Sequence, residues 1–191
     1  MLRKIVVVAI ALAVVGLSSG NLSASMAVYL TDKDMALQAD EIVHGVVKSK
    51  TSSYDQKTKK AYTLTTVAVT EWVKGGAGEK EITIRQIGGK IGDKTMAITG
   101  DARLGDGEEV VLFMMKGDGV RFMQALAQSK FLVVKDPITG AKLVKRDLSG
   151  LSVGEMKDGR FEAVKPQASA SPLALSGFMA EIKGYLKAAK Q

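Results

Sequence analysis

The chain has 191 residues, a formal net charge of +7 and no cysteine, so disulfides, thiol nucleophiles and thiolate metal ligands are excluded. Aromatic residues make up only 5% of the composition and no nucleic-acid-binding motif accompanies the basic residues, which argues against a nucleic-acid partner. A chain of this length predicts one domain with a sizeable hydrophobic core.

The N-terminus has the pattern of a secretory signal peptide. Two basic residues precede an uncharged apolar run at 5–17, and small and polar residues follow. The run is shorter than the roughly 20 apolar residues that span a membrane. We therefore expect residues 1–27 to be removed by cleavage after Ala27, with Gly20 as a second candidate position. No cysteine follows either position for lipid attachment, so we expect an exported protein, periplasmic or extracellular, with no transmembrane span after cleavage.

A short helix and several strands are predicted next, in a β-domain over residues 28–150. Thr31 or Asp32 can cap the helix. Alternating, β-branched sequence then predicts strands at 42–50, 61–75 and 80–87. Gly45, inside the first of these, indicates a bulge or sharp bend.

The second half is richer in glycine and turns. Residues 88–107 read as a surface loop with a short strand at 96–99, but the loop lacks the spacing of a phosphate-binding loop. A strand at 110–115 and three shorter ones at 120–128, 129–136 and 141–147 follow. Residues 151–170 read as an irregular linker. An amphipathic C-terminal helix is predicted at 171–189, capped by Ser171, with an apolar stripe formed by Leu175, Phe178, Met179, Ile182 and Leu186.

Short strands with glycine-rich corners and a helix at each end predict a mainly β fold, a small antiparallel barrel of the OB type. The rhythm of 39–115 resembles the exported OB-type barrels of the netrin-like class, which includes the tissue inhibitors of metalloproteases, and exported bacterial proteins with the same pattern. The matching positions are Ala39, Asp40, Val43, Val47, Trp72, Lys74, Gly75, Gly107, Val111 and Phe113. The inhibitors reach the protease zinc through an N-terminal cysteine, which this chain lacks, so their mechanism is not implied here.

Candidate catalytic and metal groups are few. His44 is the single histidine, and we read it as a surface or half-buried strand residue, since neither zinc ligands nor a nucleophile motif accompanies it. Methionines without clustered spacing predict core filling rather than copper binding. The acidic residues lie in capping or turn positions, without a full calcium-loop pattern. We therefore expect no enzyme and no cofactor.

The sequence favours an exported, non-enzymatic binding module of the cell envelope or extracellular space. Its partner would be a protein or an anionic glycan or lipid. Loops on a rigid scaffold usually carry such a surface, and we place it on the 88–107 loop and the lysine-rich tip of the first hairpin. The predicted binding residues are Lys57, Lys59, Lys60, Lys90, Lys94 and Arg103. Two alternatives stay open: a small secreted hydrolase that uses carboxylates, and a structural envelope component that assembles through the C-terminal helix.

Overall fold

The computed structural model of the protein describes residues 25–76, 78–164 and 173–190. Most of the predicted signal peptide and the predicted cap Ser171 lie outside these residues. The described chain is mainly β with a short N-terminal helix and a C-terminal helix, as predicted. The helices are α1 (Asp32–Gln38) and α2 (Leu175–Ala188). The strands are β1 (Ser25–Val28), β2 (Glu41–Asp55), β3 (Lys60–Lys74), β4 (Glu81–Ile87), β5 (Gly89–Ile91), β6 (Lys94–Met96), β7 (Glu109–Gly117), β8 (Val120–Met123), β9 (Lys130–Lys135), β10 (Lys142–Lys145), β11 (Leu151–Lys157), β12 (Arg160–Ala163) and β13 (Leu173–Ala174).

Five strands close a ring. The main sheet has the order β13-β10-β9-β7-β2-β3-β4-β8, and β7 also pairs with β8. The neighbours in the ring are antiparallel except β4 and β8, which run parallel and share the single pair Ile84 and Arg121. Alternate residues of these strands point inward and form a buried cluster. Its members include Val43, Val47, Val67, Ile82, Ile84, Val110, Leu112 and Met114.

The bend predicted at Gly45 is present. The register between β2 and β3 shifts between His44 and Gly45, as in a β-bulge. A Cβ on Gly45 would lie 2.4 Å from Ala68 O, so no larger residue fits this close approach without movement. The alternation around the bend also follows the prediction, since Val43 lies in the ring interior and Ile42 packs under the helices.

Both helices cover the outer face of the sheet. Thr31 and Asp34 form a capping box that starts α1, which satisfies two backbone N–H groups. The stripe residues Phe178, Met179 and Ile182 of α2 are buried against α1 and the sheet. The helix starts at Leu175 rather than at 171, because β13 precedes it and pairs with β10.

Residues 151–163 are ordered strands, where the sequence analysis expected the start of an irregular linker. β11 pairs with β12 in an antiparallel hairpin and with β1 in a parallel ladder. Leu151 and Val153 are buried in a separate small core that decides this conformation. The buried side chain of Gln128 fastens the chain after β1, since its Nε2 donates to Val28 O at 2.9 Å and its Oε1 accepts from Leu30 N at 3.0 Å.

Candidate functional site

A cleft of about 940 Å³ opens beside the ring. Most of its lining comes from four segments. They are the first hairpin (49–66, the far ends of β2 and β3 with their turn), the second hairpin (89–96, β5 and β6), the segment 97–104, and residues 145–150. The pairing of β2 with β7 ends at Val46, so the first hairpin extends beyond the ring and leaves one face open to the cleft.

The two hairpins touch through a pair of glycines. Gly88 N donates to Ala61 O at 2.8 Å, and Thr63 Oγ1 donates to Gly88 O at 2.9 Å. A Cβ on Gly89 would lie 2.5 Å from Ser52 Oγ and 2.7 Å from Thr63 Oγ1. Only glycine allows β5 to lie this close to the first hairpin, which places the predicted 88–107 loop against the side of that hairpin.

The segment 97–104 is held across the cleft by polar contacts. Gln86 Nε2 donates to Asp101 Oδ2 at 3.0 Å and to Ala102 O at 2.7 Å, while Ala127 N donates to Gly100 O at 3.0 Å. Burial raises the pKa of Asp101 above its usual value, although hydrogen bonds from Ala102 N and Gln86 act in the opposite direction. These contacts give the segment a defined path.

Of the six predicted cations, Arg103 lines the cleft, and Lys90 and Lys94 lie on the second hairpin, which contributes to the lining. The other three, Lys57, Lys59 and Lys60, lie at the tip of the first hairpin, outside the lining residues. All six are exposed. Among the described residues, none of their side chains forms a hydrogen bond or an ion pair with a carboxylate within 4.0 Å. The six predicted cations are Lys57, Lys59, Lys60, Lys90, Lys94 and Arg103. Their charges are therefore available to a ligand.

Three further cations line the cleft that are not among the predicted binding residues, Lys50, Lys130 and Lys145. Lys50 lies on the same strand face as Ser52, which the period of two could have shown once the register of β2 was known. Lys145 ends β10, far along the chain, and no local signal connects it to the first hairpin.

Three carboxylates also line the cleft, and each is held by a neighbour. Glu108 lies 2.5 Å from Lys130 Nζ. Asp147 accepts a hydrogen bond from Ser149 N at 2.8 Å, and that bond lowers its pKa. Asp101 accepts hydrogen bonds from Gln86 Nε2 and Ala102 N. Glu108 and Asp147, like Asp101, thus stabilise loop geometry.

His44 lies outside the cleft and is more buried than predicted. It is 6% exposed, and its Nε2 lies 2.7 Å from Glu109 Oε1. Burial raises the pKa of Glu109, but hydrogen bonds from Lys142 and His44 outweigh it, so the pKa is lowered. The prediction of a surface or half-buried histidine was wrong because Glu109 of β7 and the helical layer cover this side of the sheet.

A buried carboxylate closes the ring at the opposite end. The side chain of Glu41 is 2% exposed, with Arg121 Nε at 2.6 Å and Lys116 Nζ at 3.1 Å. Arg121 also reaches Glu79 at 2.8 Å and lies over the ring of Trp72. Its hydrogen bond to Glu41 raises the pKa of Arg121, although burial acts against this. No local pattern indicates this cluster, because Glu41 and Arg121 are 80 positions apart.

Compared with known proteins, the chain matches no protein-family model and no curated protein sequence. Within the part of the chain that the structure describes, no helix is long and apolar enough to cross a membrane. No group of three or more histidine, cysteine, aspartate or glutamate residues in 25–76, 78–164 and 173–190 is arranged to hold a metal ion.

Proposed function

We propose that this protein is an exported, non-enzymatic binding module of the cell envelope or extracellular space that holds an anionic ligand in the cleft. The observation that carries the proposal is a set of exposed cations, without carboxylate partners among the described residues, on the two hairpins and the segment 97–104 that line a cleft of ligand size. Like charges grouped beside a concave surface attract ligands of opposite charge and speed their association. Export is supported by the sequence pattern of residues 1–27.

The fold supports this role. We propose that the ring of five strands is an OB-like barrel, since that fold is a small five-stranded Greek-key closure that binds ligands on a strand face and adjoining loops. The resemblance to the netrin-like class is a further part of the proposal. A ligand between the first hairpin and the 97–104 segment would occupy such a surface.

The carboxylate hydrolase remains the second candidate, because Asp101 is a partly buried acid with a raised pKa in a cleft that also holds Glu108 and Asp147. A general acid of this kind would need a free partner carboxylate. Both partners are already held, by Lys130 and by a backbone N–H, which supports binding over catalysis.

The third candidate function, assembly through the C-terminal helix, would need an exposed apolar stripe on α2. The apolar stripe residues Phe178, Met179 and Ile182 are buried in the protein's own core. A partner would therefore have to displace α2 from the sheet before it could use that stripe.

Fluorescence anisotropy with labelled poly-L-glutamate and labelled alginate oligosaccharides tests the proposal. We expect at least one to bind, with an affinity that falls as salt is added. The variant K94Q/R103Q should bind roughly three- to tenfold more weakly, since each exposed charge contributes a modest amount.

A matched control removes the same charge elsewhere. K33Q/K187Q changes two exposed lysines on the helical layer and should bind as the unaltered protein does. Equal weakening by both double variants, or no binding of either polyanion by the folded protein, would contradict the proposal.

A further inference from the structure

The second hairpin leaves one strand edge open. β5 and β6 form an isolated two-stranded sheet, and β5 lies against the first hairpin. β6 therefore has β5 on one side, and no other strand among the described residues pairs with its second edge. Its three residues, Lys94 to Met96, are all exposed, and Thr95 and Met96 line the cleft.

The turn geometry identifies the open backbone groups. Gly92 has φ of 58° and begins a two-residue turn, so Ile91 and Lys94 flank it as a hydrogen-bonded pair. Paired residues of an antiparallel ladder alternate between hydrogen-bonded and non-hydrogen-bonded. Thr95 is consequently the residue whose N–H and C=O point away from β5. An unpaired donor and acceptor of this kind are a template for another strand.

We propose that the ligand of the cleft is an extended acidic peptide segment of another protein, which adds as a strand to the open edge of β6. This rests on the proposed function and names its ligand. The strand edge offers backbone groups at the spacing of a peptide, a match that a glycan does not provide. The positive charges of Lys94 on β6 and of Arg103 in the cleft lining favour an acidic peptide.

The surroundings also fit the alternation of an extended peptide. Met96 and Ile98 line the cleft with 39% and 42% of their surfaces exposed. An added strand directs alternate side chains to opposite sides. Apolar side chains on the side of Met96 can then contact Met96 and Ile98, and acidic side chains on the side of Thr95 can reach Arg103, which lines the same cleft. The segment recognised thus alternates acidic and apolar residues.

The test uses the protein in its naturally processed form and a fluorescent octapeptide of alternating valine and glutamate. A second octapeptide has the same sequence with N-methyl groups on alternate backbone nitrogens, placed to block the edge that would face β6. N-methylation leaves charge and side chains unchanged but removes strand pairing. We expect it to weaken binding about tenfold, since the two backbone hydrogen bonds to Thr95 are lost. An alginate oligosaccharide of matched charge is the third probe.

Each outcome decides the proposal. Binding of the plain octapeptide with a large loss on N-methylation supports it. Equal binding of both peptides overturns strand addition but leaves an anion-binding cleft. Binding of alginate without either peptide overturns the peptide ligand and leaves the proposed function standing. Failure of all three probes with folded protein overturns both proposals.

Discussion

Replacing Arg121 by methionine removes the cation that closes the ring. β4 and β8 share only one pair, Ile84 with Arg121, so the backbone ladder at this seam is short. The ion cluster spans it instead, because Arg121 on β8 contacts Glu41 on β2 and Glu79 before β4. Methionine keeps the length and much of the apolar stem of arginine, so the variant loses mainly the charge and its hydrogen bonds.

The expected cost follows from the burial of Glu41. Breaking a buried pair by removing one partner costs about 3–5 kcal/mol, because a charge stays buried without compensation. Lys116 Nζ remains 3.1 Å from the carboxylate, so we place the loss near the lower limit, about 3 kcal/mol. Urea unfolding, followed by circular dichroism, measures it as a fall in the free energy of unfolding.

Two comparisons make the result decisive. K183M removes a partner from an exposed pair, Lys183 Nζ and Glu71 Oε1 at 2.5 Å, and should cost about 1 kcal/mol or less. The double variant R121M/E41Q should be more stable than R121M alone, because no carboxylate then stays buried without its cation. If R121M loses no more unfolding free energy than K183M, or if the double variant is less stable than R121M, then Arg121 does not compensate the buried charge of Glu41.

Three further predictions concern packing, pH and processing. Gly45→Ala forces a Cβ to 2.4 Å from Ala68 O and should cost at least about 1–3 kcal/mol of unfolding free energy; an unchanged urea midpoint would contradict the close approach. Because burial raises the pKa of Asp101, the stability contributed by its protonated form is present below the unfolded value of 3.8 and is lost as pH rises through the folded pKa. The free energy of unfolding of Asp101→Asn, measured in urea at several pH values, should therefore increase with pH relative to that of the unaltered protein. A pH-independent difference would contradict this. Cleavage after Gly20 keeps β1 whole, whereas cleavage after Ala27 removes most of it, so N-terminal sequencing of the exported protein should find the earlier position rather than the later one.

Local pattern was sufficient to predict much of the fold. The alternation at 42–47 separated Val43 from Ile42 correctly, and Gly45 marked the bend, because a strand with two buried faces carries both signals in a few residues. Thr31 identified the start of α1 for the same reason, since a cap is a local hydrogen-bonding device.

The features that sequence did not predict depend on distant contacts. Leu151 and Val153 lie in a stretch of serine, glycine and glutamate with weak strand preference, and their pairing with β1 fixes the strand. The burial of His44 depends on Glu109, which is 65 positions away.

The candidate site was predicted in part. Five of the six predicted cations could be found as charges in or beside two turns, but the contact between the two hairpins rests on the close approach of Gly89 to Ser52 and Thr63. A close backbone approach of this kind leaves no trace in the sequence beyond the glycine itself. Lys50 and Lys145 join the cleft only because the chain folds back there.

The most direct test of the central claim is a map of backbone amide shifts by NMR while the alternating valine–glutamate octapeptide is added. If the peptide binds at β6, the largest shifts occur in the second hairpin and the 97–104 segment, with Thr95 and Arg103 among them, and smaller ones occur at Ser52 and Thr63 on the facing side of the cleft. Shifts confined to the helical layer around Lys33 and Lys187, or spread evenly over the surface, would contradict it.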